Sequence, residues 1–148
     1  MNRHLPLACP EKPRRRVAIY TRARDNEGLR RQREDVERHV AEQPGWTIVA
    51  GYEDIARTDK KRPALDRLLA DARNGAFDLL IVRDMPRFGR SMQDVARIVR
   101  TLHNCGVIIA TTAERVNTGT LAGRLAMSVV TAFVDGFTVG GNDPERLR

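Results

Sequence analysis

Long apolar runs are missing from this 148-residue chain. None approaches the roughly 20 residues that a membrane-spanning helix needs. Cysteine is scarce, with Cys9 and Cys105 alone. Neither has a cysteine or histidine at metal-ligand spacing, so a zinc module finds no ligands. The two read as free thiols of a cytoplasmic protein. Serine is almost absent, with Ser91 and Ser128 alone, and lysine is limited to Lys12, Lys60 and Lys61. No GxxxxGK precedes a Ser or Thr, which excludes a P-loop. No GxGxxG follows the first apolar run, so a dinucleotide-binding fold lacks its fingerprint. The opening MNRHLPLACPEKPRRR is too short in apolar residues for a signal peptide and is broken by Pro6 and Pro10. It reads as a flexible basic leader over 1–15, or as an arm that touches DNA through Arg14 and its neighbours.

What is present suits one domain with a real core: 41% hydrophobic and 30% charged residues. The net charge is +7, of which the first 16 residues hold +4, so the domain itself is only mildly basic. The domain is expected over 16–137, with a frayed tail over 138–148 and no separate C-terminal DNA-binding domain.

Apolar runs and helical stripes alternate. Val17–Thr21 reads as a buried first strand, and Leu29, Val36 and Val40 mark a helix over 28–43 that Pro44-Gly45 stops. Trp46–Tyr52 reads as a second strand and 53–61 as a polar loop. Pro63 opens a helix carrying Leu65, Leu68, Leu69 and Ala72, closed by Asn74-Gly75. Phe77–Val82 is a third strand, apolar enough to be buried on both faces. A helix with Val95, Ile98, Val99 and Leu102 on one side ends near Gly106, and Val107–Ala110 is a fourth strand. Leu121–Phe137 is helix-compatible through Leu125, Val129 and Phe133, and Gly136, Gly140, Gly141 and Pro144 cut it short. Four β-then-α alternations predict an α/β fold. Its sheet is largely parallel, of four strands or slightly more, with helices on both faces and a truncated last helix.

Arginines follow three of these strands. Arg22 and Arg24 come after the first, Arg62 after the second, and Arg87 and Arg90 after the third. In a parallel sheet these strand ends open on one edge. Five guanidinium groups there would repel one another unless they held an anion, and a phosphodiester fits. The alternative is a set of solvated surface arginines. Asp25, Asp54 and Asp84 also follow strands, but basic surroundings argue against a divalent cation.

The motif order resembles the catalytic domain of serine recombinases, the resolvase/invertase family. The family's Tyr-x-Arg-Val-Ser stands here as Tyr20-Thr21-Arg22-Ala23-Arg24, and its Ser-Leu-x-x-Gln-Arg as Gly28-Leu29-Arg30-Arg31-Gln32-Arg33. Its Arg-Pro-x-Leu-x-x-Leu-Leu appears as Arg62 to Leu69 and its Asp-Arg-Leu-x-Arg-Ser as Pro86 to Ser91. Its Thr-x-x-Gly-Arg appears as Thr120 to Arg124. The resemblance implies DNA strand exchange through a phosphoserine link, with no metal, nucleotide or other cofactor. Carried over by position, Arg22, Arg62, Arg87 and Arg90 stabilise the phosphorus in the transition state, and Gln32 supports them. On the same resemblance Arg22, Arg24, Arg62, Arg87, Arg90 and Arg124 are expected to contact DNA.

The departures are as informative. Arg24 stands at the family's nucleophile, and a guanidinium offers no free lone pair to phosphorus. Pro86 stands at its aspartate, with Asp84 two residues earlier. Thr21, Ser91 and Ser128 are the hydroxyls weighed as substitutes. Strand alternation turns Thr21 away from Arg22, Ser91 suits a helix cap, and Ser128 is expected to pack within the last helix. No helix-turn-helix or zinc module carries sequence readout. The expectation is a DNA-phosphate-binding domain that has lost cleavage. The alternatives are an active enzyme using Thr21, and a non-catalytic module that regulates an intact recombinase. Pairing through Leu121–Phe137 gives a homodimer, or a heterodimer with a recombinase.

Overall fold

The computed structural model describes residues 14–56, 61–84, 89, 91–113, 117–121, 123–125 and 128. Its elements are β1 (Arg15–Ala23), α1 (Asn26–Ala41), β2 (Trp46–Ile55), α2 (Pro63–Arg73), β3 (Leu79–Val82), α3 (Met92–Asn104) and β4 (Ile108–Thr111). The four strands form one parallel sheet in the order β2-β1-β3-β4. The chain steps outward from β1 to β2, then returns to the other side of β1 for β3. The carboxyl ends of β1 and β3 therefore flank a topological switch point, where open α/β sheets place their ligands.

Alternation along β1 divides the core. Val17 and Ile19 join Val36 and Val40 of α1 in one apolar cluster. Ala18 and Tyr20 join Leu65, Leu68 and Leu69 of α2 and Ile98, Val99 and Leu102 of α3 in the other. Helices thus cover both faces, and β3, apolar at every position, is buried throughout. Each large side chain removed from water contributes about 1.5–3 kcal/mol, so α2 and α3 are held chiefly by these stripes. The helix stops are as expected: Gly45, Gly75 and Gly106 follow α1, α2 and α3 with positive φ.

Strand limits differ from the sequence reading in one way that matters. β1 runs on to Ala23 and β2 to Ile55, so Arg22 lies within a strand and Glu53–Ile55 is not loop. The polar pattern of 53–55 hid a strand, because Asp54 points inward and is buried. At its start β2 bulges beside Val17, where the register skips Val49. The extra residue bends this exposed edge strand. Leader residues 1–13, Pro86, Arg87, Arg90, most of Leu121–Phe137 and the tail lie outside the described residues. Among the described residues no helix is long and apolar enough to cross a membrane.

Candidate functional site

The site begins where β1 outruns β3. Their pairing ends at Tyr20 opposite Val82, so two residues later the Arg22 backbone faces no strand on that side. Gln32 of α1 takes the missing strand's place. Its Oε1 accepts from the Arg22 N–H at 3.2 Å and its Nε2 donates to the Arg22 carbonyl at 2.8 Å. This explains a buried glutamine within the apolar stripe of α1. Arg22 itself is half-buried, on the α2/α3 face beside Tyr20. Arg24 is exposed, between the end of β1 and Asp25. Asp25 caps α1, with Oδ1 accepting from Gly28 N–H at 2.7 Å.

The inward carboxylate of β2 organises the next helix. Pro63 at the first position of α2 has no N–H, and the cap position, Arg62, offers no side-chain acceptor. Asp54 serves instead. Its Oδ1 accepts from Ala64 N–H at 2.9 Å and its Oδ2 from Leu65 N–H at 3.0 Å. The Tyr20 hydroxyl donates to the same Oδ2 at 3.0 Å. Asp25 and Asp54 are therefore committed to helix starts.

Arg62, fixed at that helix start, is only 9% exposed. Its guanidinium forms a short ion pair with Asp94 in the first turn of α3. The other oxygen of Asp94 accepts from Arg97 at 3.0 Å. One carboxylate thus lies between two guanidinium groups. The sequence reading foresaw arginines whose mutual repulsion needs an anion, and here a side chain supplies one for Arg62. Around this trio lies a cleft of about 590 Å³ whose lining includes Lys61, Asp66 and Ser91.

The hydroxyls are placed as follows. Thr21 is 1% exposed, and its Oγ1 has no hydrogen-bond partner among the described residues. Ser91 caps α3, its Oγ accepting from Asp94 N–H at 3.1 Å. Ser128 does not pack: it is exposed, and its hydroxyl donates to the Arg124 carbonyl at 2.8 Å. A serine within a helix can turn back in this way to the carbonyl four residues earlier. Arg124 is also exposed, in the helical turn that opens after β4. Arg22 and Arg62 are brought to the same neighbourhood, since both act on the Tyr20 phenol.

Asp94, Arg97, Asp54 and Tyr20 were missed as site residues. For Asp94 a signal existed: Ser91-Met92-Gln93-Asp94 has the S-x-x-D spacing of a capping box. For Asp54 none did, since it stands ten residues before the amide it caps, outside any capping spacing.

Burial, with the Asp54 carboxylate beside it, pushes the Tyr20 phenol above its ordinary range, against the opposing pull of Arg62 and Arg22. Burial and a hydrogen bond to Asp71 raise Tyr52 likewise. These are the chain's two tyrosines. A raised phenol favours the protonated, folded form. The stability it confers is complete below the ordinary value of about 10 and is lost as pH rises through the folded value. An ultraviolet alkaline titration should show no phenolate while the protein stays folded near pH ~10, and then phenolate and unfolding together. A normal two-tyrosine titration in folded protein would contradict this placement.

Comparison with known proteins bears on this geometry. The family described as "Resolvase, N terminal domain" matches residues 16–135. Over 80 residues, 52% of this chain, it is 39% identical to the Transposon Tn21 resolvase of Escherichia coli, covering 42% of that protein. Over 117 residues, 78% of this chain, it is 29% identical to the DNA-invertase of Escherichia phage P1, covering 59% of it. The chain spans about half the length of these curated relatives. Among solved structures, the N-terminal catalytic domain of TP901-1 integrase superposes with a TM-score of 0.76 at 25% identity, over 88% of this chain and all of that one. A resolvase family site-specific recombinase from Streptococcus pneumoniae shares the fold, with a TM-score of 0.73 at 21% identity, over 84% of this chain and 89% of that one. The parallel sheet with helices on both faces is the fold of these solved domains, and the chain belongs to the resolvase N-terminal domain family.

Proposed function

We propose that this chain is a serine-recombinase catalytic domain that binds the DNA backbone through its strand-end arginines and has lost strand cleavage. The observation that carries this reading is Arg24. It is exposed at the carboxyl end of β1, where the family resemblance puts the attacking serine. A protonated guanidinium cannot form a bond to phosphorus. The hydroxyls weighed above do not replace it. Thr21 is sealed in the core, and the Ser91 oxygen already caps α3. Pro86, standing for the family's aspartate, agrees. In this reading Arg22 and Arg62, with Arg87 and Arg90, hold a phosphodiester by charge alone, with no metal or cofactor, while Gln32 fixes the end of β1. Arg24 adds one more cation to the pocket, and Arg124 another contact.

The test pairs two measurements on a pool of random-sequence duplexes. Denaturing electrophoresis should show no covalent protein–DNA adduct. Non-covalent binding should be present and should weaken steeply with salt, as counterion release requires. An adduct that disappears in Thr21→Ala would restore an active enzyme and overturn the reading.

A second reading has one observation in its favour. Leu121 and Leu125 are 67% and 59% exposed and lie one turn apart on the same helical side. That apolar edge fits pairing with a second copy or with an intact recombinase, in which case the domain regulates assembly. Duplexes without effect, together with a mixed species on titrating in a complete resolvase, would favour it.

A further inference from the structure

We propose that Arg97 is an additional phosphate-binding residue of the cleft, kept poised by Asp94 and exchanging that carboxylate for the DNA backbone. The inference rests on the DNA-binding reading above and adds a residue that the family motifs do not mark.

The argument starts from the unequal standing of the two guanidinium groups on Asp94. The Arg62 side chain is 8% exposed and the Arg97 side chain 60%, with Asp94 between them at 18%. Arg62 is anchored at the start of α2. Removing it from Asp94 would strand a largely buried carboxylate. Arg97 sits one turn along α3 from Asp94, an exposed i,i+3 pair of the kind that contributes little in water. Its departure leaves Asp94 neutralised by Arg62. Of the two, Arg97 is therefore the group that an incoming anion can recruit at small cost. Its position suits that role, because Arg97 lines the cleft together with Lys61 and Arg62. The Asp94 backbone N–H is capped by Ser91 Oγ at 3.1 Å, which fixes this residue in the first turn of α3 and so fixes where its carboxylate stands. Both oxygens go to arginines. Asp94 is thus a positioning residue. It holds Arg62 in place and holds Arg97 at the mouth until a phosphate oxygen takes over.

The salt dependence of duplex binding reads this directly, because its slope counts phosphate contacts. Arg97→Gln should flatten the slope of log affinity against log salt by about 0.9. Between 50 and 200 mM salt, the variant should then lose about 3.5-fold less affinity than the native chain. Arg97→Lys, which keeps the charge, should restore the native slope. Arg73→Gln removes an exposed arginine at the far end of α2 and should leave the slope unchanged. A role in helix stability alone would move the melting temperature and not the slope. If the native protein binds with a salt-dependent slope and Arg97→Gln keeps it, this proposal is overturned and the DNA-binding reading stands. If the native protein shows no salt-dependent binding, the reading itself falls and takes the proposal with it.

Discussion

Replacing Asp54 by alanine should cost roughly 3–5 kcal/mol, enough to remove a large share of the 5–15 kcal/mol that holds a typical domain folded. The residue is 2% exposed and accepts three hydrogen bonds, from Ala64 N–H, Leu65 N–H and the Tyr20 hydroxyl. Alanine takes this acceptor from the two amides and from the Tyr20 hydroxyl in a site too enclosed for bulk water. Each unsatisfied buried donor costs about 1–3 kcal/mol, and loss of a helix cap typically costs ~1 kcal/mol. The two amides are the cap, so these figures overlap rather than add. Denaturant unfolding followed by far-UV dichroism measures the loss. Asp54→Asn should fall between native and alanine, since an amide keeps one acceptor oxygen and loses the other. Alanine and native unfolding at the same denaturant concentration would mean that α2 finds its cap elsewhere.

The same variant links stability to the site. Arg62 sits at the cap position of α2, so its guanidinium reaches Asp94 only while the start of α2 is pinned to β2. Destabilised but still folded Asp54→Asn protein should bind duplexes more weakly, although Asp54 faces the core and never meets DNA. Tyr20 completes the chain of contacts. It ties β1, which carries Arg22, to the carboxylate that fixes Arg62.

Periodicity made most of this fold legible. The stripes of Leu65, Leu68 and Leu69 and of Ile98, Val99 and Leu102 marked helices that the structure packs against one sheet face. The continuous apolar run Phe77–Val82 marks β3 as an interior strand, and the sheet order places it between β1 and β4. Failure came where a polar residue has a structural task. Asp54 makes the end of β2 read as loop, and nothing in the spacing of Gln32 shows that its amide clamps the Arg22 backbone. Arg62 is singled out by its place after the second strand, but its counter-ion is not legible there. Asp94 lies on the helix after the third strand, far in sequence from Arg62, and only the packing of α2 beside α3 joins them. Ser128 failed for the opposite reason: an expected interior position is exposed. Leu125, on the same side three residues earlier, is exposed as well.

Gly123→Ala should detach the helical turn that opens at Leu121 and leave the sheet intact. A Cβ at this position would lie 1.8 Å from the Asn117 carbonyl oxygen and 2.4 Å from its carbon. The obstacle is backbone, and it cannot retreat easily. Asn117 bridges to Ala110 of β4, Thr118 N–H donates to Ile109 O at 2.8 Å, and Ile109 N–H donates to Thr118 Oγ1 at 2.8 Å. Thr120 shows why the approach is so close. Its hydroxyl donates to Asn117 O at 2.7 Å while accepting from Gly123 N–H at 3.0 Å. The Thr-x-x-Gly-Arg pattern therefore combines a capping threonine with a glycine that has no side chain to collide. Ordinary overpacking costs about 1–3 kcal/mol. Here the clash exceeds what small shifts relieve, so the cost is limited by the energy of releasing the turn. Hydrogen exchange separates the two parts. Amide protection at Gly123 and Arg124 should vanish in the variant, while Leu80 and Ile81 in β3 keep theirs. Duplex binding should weaken as well, because Arg124 leaves with the turn. Unchanged protection at Gly123's neighbours would mean that this turn does not rest on Asn117.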